Sequence, residues 1–106
     1  MGMARKYLRI TEVIELCGVD KKFVRRLERE RVIHALIREN RKLYSFDQID
    51  RVRVAHLLIE EMGVNLEGAE VVLHMREQMI AMRRHLRELM RLLDEHRSTG
   101  HRRPRA

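Results

Sequence analysis

The stretch Ile10 to Ile33, ITEVIELCGVDKKFVRRLERERVI, decides the fold. It reads as a short helix, a tight turn at Gly18-Val19 and a second short helix. Thr11 is expected to N-cap the first helix, because its hydroxyl can accept a bond from an otherwise unpaired N–H. Val13, Ile14 and Leu16-Cys17 then fall on one side. Asp20 is placed to cap the second helix, whose Phe23, Val24 and Leu27 point inward at helical spacing. Left on the outer surface are Lys22, Arg25, Arg26 and Arg29, with Lys21 at the entry. Two short helices, the second of them basic, make a candidate unit for reading DNA.

Charge supports that reading by its distribution more than by its total. Of the formal net charge of +7, residues 1–44 carry +6, residues 45–96 carry −3 and residues 97–106 carry +4. A positive charge gathered on the N-terminal unit and the tail is the footprint of a polyanion binder. Only Phe23, Phe46, Tyr7 and Tyr44 are aromatic, so a core of Leu, Val, Ile and Met suits packed helices better than a β-sandwich. No run is long enough to cross a bilayer, and Arg5, Lys6 and Arg9 interrupt any apolar signal region. A lone cysteine, Cys17, excludes an internal disulfide and fits a reducing compartment, so a cytoplasmic location is expected. Its neighbourhood reads as a small buried side chain, not as a reactive thiol.

Working outward, Tyr7-Leu8-Ile10 either forms a first short strand or covers the first helix. After the second helix, Val32 to Ile37 and Lys42 to Tyr44 are two apolar runs flanking the polar turn Arg38-Glu39-Asn40-Arg41. That pattern predicts a β-hairpin, placed as a wing after the helix-turn-helix. Arg38, Arg41 and Lys42 would meet phosphates near its tip. Tyr44 is expected to offer its hydroxyl to the DNA backbone, to pack its ring beneath the hairpin, or both.

Ser45-Phe46-Asp47-Gln48 reads as a capping box in which Ser45 and Gln48 satisfy each other's orphan N–H groups. The helix it opens is expected to run to Met62, burying Ile49, Val52, Ala55, Leu58, Ile59 and Met62, with Gly63 closing it. Asp47 and Arg51 are spaced as an i,i+4 pair. His56 reads as a hydrogen-bonded boundary histidine. Asn65 then caps a new helix in which Val72, Met75, Met79, Met82, Leu86, Leu89 and Leu93 recur at 3-4 spacing, an a/d stripe that needs a partner. The simplest partner is a second copy, so these seven residues are the candidate dimerisation surface. Ser98 to Arg105 reads as a disordered basic tail.

Chemistry is scarce. There is no glycine-rich phosphate loop, nucleophile motif or His/Cys cluster with metal spacing, so no enzyme, cofactor or metal is expected.

The order helix-turn-helix, wing, capped helix and terminal helix resembles the MerR family of transcriptional regulators over residues 7–95. Val24-Arg25-Arg26-Leu27-Glu28-Arg29 is similar to the family's recognition-helix run, and Lys42-Leu43-Tyr44-Ser45 to its wing motif. Where the family has a tyrosine pair this chain has Arg26-Leu27. Arg31 replaces a glycine, and Lys42 replaces an arginine. The resemblance implies a mainly α fold: a MerR-like winged helix-turn-helix with a small β-hairpin wing and a long C-terminal coiled-coil dimerisation helix. Its bounds would be 1–64 for the DNA-binding domain, 65–97 for the dimerisation helix and 98–106 for the tail. It also implies a homodimer on double-stranded DNA, with Arg25 and Arg26 in the groove and Lys42 and Tyr44 on the backbone. Gly63-Val64-Asn65-Leu66-Glu67-Gly68 further resembles two branches of that family. One is the heat-shock repressors, which cooperate with Hsp70. The other is the chaperone modulators, which bind and inhibit DnaJ-type co-chaperones and form the alternative reading. Glu60, Glu61, Glu67 and Glu70, clustered around Gly63, would suit a basic co-chaperone surface.

Overall fold

The computed structural model describes residues 6–100, with side chains described as far as Ser98. The elements run β1 (Tyr7–Leu8), α1 (Ile10–Cys17), α2 (Lys21–Arg29), β2 (Leu36–Arg38), β3 (Arg41–Ser45), α3 (Phe46–His56), a π-helical turn (Leu57–Glu61) and α4 (Leu66–Gly100). The three short strands form one antiparallel sheet in the order β1-β3-β2. Tyr7-Leu8 is thus a strand, paired with Ser45 and Tyr44.

Local chemistry explains most of the boundaries. Helix α1 begins one residue before Thr11, and the backbone N–H of Arg9 donates to the Glu12 carboxylate at 2.9 Å. Thr11 therefore lies inside the first turn and is not the cap. The turn to α2 passes through Gly18 at φ 68°, a left-handed conformation that costs a residue with Cβ about 1–2 kcal/mol. Asp20 does cap α2, accepting from the Phe23 N–H at 2.9 Å.

The chain after α2 departs from the expected hairpin. Val32 and Ile33 are not strand residues but core plugs, 1% and 0% exposed. Arg31 reaches this arrangement by taking φ 63°, and the Val32 N–H bonds the Leu27 carbonyl at 2.8 Å. Two side chains from α3 then pin the segment. Arg51 donates from Nε to the Val32 carbonyl at 2.7 Å, and Gln48 Oε1 accepts from the His34 N–H at 2.8 Å. Gln48 is thus spent on the loop, and only the Ser45 half of the expected capping box forms, at 3.4 Å. The hairpin itself is short. Glu39 and Asn40 take φ 52° and 64°, the paired left-handed residues of a type I′ turn.

Helix α3 buries Ile49, Val52, Val54 and Ala55, and Leu58 follows in the π turn. A π turn holds one residue more than an α turn, which shifts the faces around it. Val54, ahead of that turn, is buried as well, while Met62, expected inside, follows it and is 63% exposed. Leu16 on α1 faces solvent as well. Gly63 follows at φ 73°, and Asn65 caps α4 by accepting from the Gly68 N–H at 2.8 Å. A Cβ on Gly68 would lie 2.9 Å from Val64 Cγ1 and 3.0 Å from the capping Asn65 oxygen. The Gly-Val-Asn-Leu-x-Gly run is thus a corner whose residues each have a steric or capping job.

Two compact units share the chain, one ending at Leu73 and the other starting at His74. The core of the first draws on α1, α2, β3, α3 and the first turns of α4, including Val13, Val24, Leu27, Tyr44, Val52, Ala69 and Leu73. Burying apolar side chains of this size contributes roughly 1.5–3 kcal/mol each for the larger ones. The second unit is α4 from His74 onward. Ser98 to Gly100 continue that helix, and residues 101–106, the remainder of the expected basic tail, lie outside the described residues.

Candidate nucleic-acid interface

On α2 the three inward residues, Phe23, Val24 and Leu27, occupy one side. At about 100° per residue, Lys21, Arg25, Arg29, Lys22 and Arg26 fall in that order on an arc of about 140° on the opposite side. Lys21, Lys22, Arg25 and Arg29 are exposed and Arg26 is half-buried at the arc's edge. Phe23 also meets His56, the two rings packing edge-on at 5.4 Å between centroids. The boundary position expected for His56 is thus an aromatic contact.

On the wing, Arg38 and Arg41 sit opposite each other as the last pair before the turn, and both are exposed. Lys42 and Tyr44, two residues apart on β3, both turn toward α2. There they meet Glu28. The Lys42 ammonium donates to Glu28 Oε2 at 2.7 Å, and the Tyr44 hydroxyl donates to Glu28 Oε1 at 2.8 Å. Arg25, Glu28, Arg29 and Lys42 line one open cleft between helix and wing.

Both wing residues are thus engaged within the chain. Tyr44 is 0% exposed, its ring packs in the core as one of the two expectations has it, and its hydroxyl donates to Glu28. Lys42 remains exposed but arrives already paired. Glu28 went unnoticed in the sequence because a lone acid on a basic helix reads as an ordinary solvated charge. Only the fold-back of β3 shows its partners.

Electrostatics follow the geometry. Burial alone would raise the Glu28 carboxyl. Hydrogen bonds from Lys42 and Tyr44, with the charges of Lys42 and Arg25, outweigh it and hold the group below the usual carboxylate range. Burial and the Glu28 carboxylate together push the Tyr44 phenol well above its ordinary value. Burial also raises the Cys17 thiol, which donates to the Ile49 carbonyl at 3.8 Å.

The candidate dimerisation residues behave differently. Val72 is 39% exposed, and Met75, Met79, Met82, Leu86, Leu89 and Leu93 are 44–64% exposed. Among the described residues, no group of three or more His, Cys, Asp or Glu side chains is placed to hold a metal, and no helix is long and apolar enough to cross a membrane.

A family model for the MerR helix-turn-helix regulatory proteins matches residues 8–91. The chain belongs to the MerR family. No curated protein matches the sequence. The match spans the two helices, the wing, α3 and most of α4, and MerR membership makes DNA-binding transcription regulation the general role of this architecture. Within it, the chain keeps the wing tyrosine as a core residue. Just after α2, Arg31 takes the left-handed conformation that glycine would adopt freely.

Proposed function

We propose that the chain is a dimeric, non-enzymatic DNA-binding regulator acting in the cytoplasm. In this reading α2 enters the major groove, the wing meets phosphates and α4 pairs with a second copy. One observation carries the reading. Arg25 and Arg29 of α2 and Lys42 of the wing line a single open cleft, so helix and wing share a basic surface for a polyanion. The contacts assigned to it are Lys21, Lys22, Arg25, Arg26, Arg29, Arg38, Arg41 and Lys42. Pairing is supported by the row of apolar residues on α4 that stand 39–64% exposed among the described residues.

The test is binding of duplexes from the chain's own upstream DNA, followed by fluorescence anisotropy across salt concentration. Affinity should fall steeply with salt. Arg25→Glu with Arg29→Glu should abolish binding while circular dichroism shows a folded chain. Full affinity in that double variant would remove α2 from the interface.

The Gly63–Gly68 corner supports a narrower role tied to chaperone genes, since it carries the likeness to the two chaperone-linked branches. Exposed Glu60, Glu61 and Glu67 beside it favour the second reading, inhibition of a DnaJ-type co-chaperone through its basic surface. Co-purification with such a protein, abolished by reversing those three charges, would establish the second reading. Its absence would leave DNA as the partner.

A further inference from the structure

A carboxylate surrounded by Arg25, Arg29 and Lys42 on a surface meant for a polyanion is, by charge alone, counterproductive. Its geometry gives it another use. Glu28 spends both oxygens on one strand: Oε2 on Lys42 and Oε1 on Tyr44, at 2.7 and 2.8 Å. Residues two apart on a strand share a face, so the carboxylate grips β3 at two points along its length and prevents rotation about either one. The Tyr44 ring anchors the far side of this grip in the core, at 0% exposure. The hairpin beyond it has little else to hold it. Leu36, Ile37, Arg38 and every residue of the turn are exposed.

We propose that Glu28 is a positioning residue for duplex binding: it locks the wing against α2, so that the hairpin arginines and the helix cations address one backbone together. This rests on the DNA-binding reading above, and the lock itself can be tested without DNA. Loss of the lock leaves the hairpin beyond the Tyr44 ring more loosely held, and a mobile wing must be ordered at the moment of binding.

The experiment compares the wild-type chain with Glu28→Gln, which keeps size and removes the charge that holds Lys42. In the free protein, amide hydrogen exchange over residues 36–42 should quicken in the variant, while exchange in α1 and α3 stays unchanged. On a duplex that the wild type binds, affinity should fall about tenfold, the usual scale for losing a charged hydrogen-bonded pair, and the salt dependence should become shallower as wing contacts drop out. A merely repulsive carboxylate gives the opposite sign, tighter binding with an undiminished salt slope.

In the free protein, Lys42→Met combined with Tyr44→Phe should reproduce the quickened hairpin exchange, and adding Glu28→Gln to that pair should quicken it no further. Unchanged hairpin exchange, or tighter duplex binding by Glu28→Gln, overturns the proposal. If the wild type binds no duplex even at low salt, the DNA-binding reading fails. The exchange result then decides the lock by itself: quickened exchange upholds it and unchanged exchange removes it.

Discussion

Helix α4 is treated in two different ways along its length. In its first turns Ala69 and Leu73 are 0% and 1% exposed, packed into the core with α1, α2 and α3. From Met75 to Leu93 apolar residues again recur at helical spacing, on a face about 100° or more away from Ala69 and Leu73, and these stripe residues stand 44–64% exposed. Each face repeats at helical spacing, and only the first has a surface to bury against. An amphipathic pattern therefore reports that a residue needs cover and does not say whose. The first unit supplies its own cover. The second, among the described residues, does not.

Substitutions can break that contrast. Leu27→Ala, in the closed core, should cost about 2–5 kcal/mol of unfolding free energy in urea titrations, as for other fully buried leucines. Leu86→Ala in the open stripe should leave the stability of isolated chains within about 0.5 kcal/mol, because the residue is already half in water. Its effect should appear instead in sedimentation velocity, as a shift from dimer toward monomer at a fixed concentration. Equal stability losses from the two substitutions would mean that the stripe is covered within one chain.

Stability should also respond to pH through Glu28 and Tyr44. The folded Glu28 carboxyl titrates below its unfolded value. Its contribution is therefore present above the unfolded pKa of about 4.5 and lost as pH falls through the lower folded value. The folded Tyr44 phenol titrates above its unfolded value. Its contribution is full below pH 10 and is lost as pH rises toward the higher folded value. Thermal melts should show both flanks in the wild type. Glu28→Gln should flatten the acid flank, and Tyr44→Phe the alkaline one. The smallest effect is expected at Arg31. Arg31→Gly should raise stability by about 0.5–1 kcal/mol, as left-handed strain is relieved against the greater freedom of glycine in the unfolded chain.

What the sequence reveals and what it hides divides along physical lines. Asp20 and Asn65 are legible as caps because capping is a contact between a side chain and a backbone two or three residues away. The inward face of α2 is legible for the same reason of short range. Gln48 is not: its amide is equally able to close a local capping box or to reach His34, and tertiary placement chose the latter. The fates of Val32 and Ile33 turn on Arg31 accepting a left-handed backbone, which no propensity favours for arginine. Within the site, the cations are evident from composition. The Glu28 bridge depends on a contact sixteen residues away and on one fourteen away, and no local pattern encodes it.

The wide turn at Leu57–Glu61 has a consequence for how this sequence tolerates insertions and deletions. A π turn is an α-helix carrying one surplus residue. Deleting a single residue there is accordingly the one-residue loss this helix is built to absorb, since it restores regular winding instead of breaking it. Because the surplus residue is taken up within the widened turn, its loss moves Met62 and the Gly63 corner far less than the roughly 100° that losing a residue from a regular α-helix would cause. Length variation of one residue at this point is thus absorbed ahead of the corner that leads into α4, without unravelling the helix that supports it.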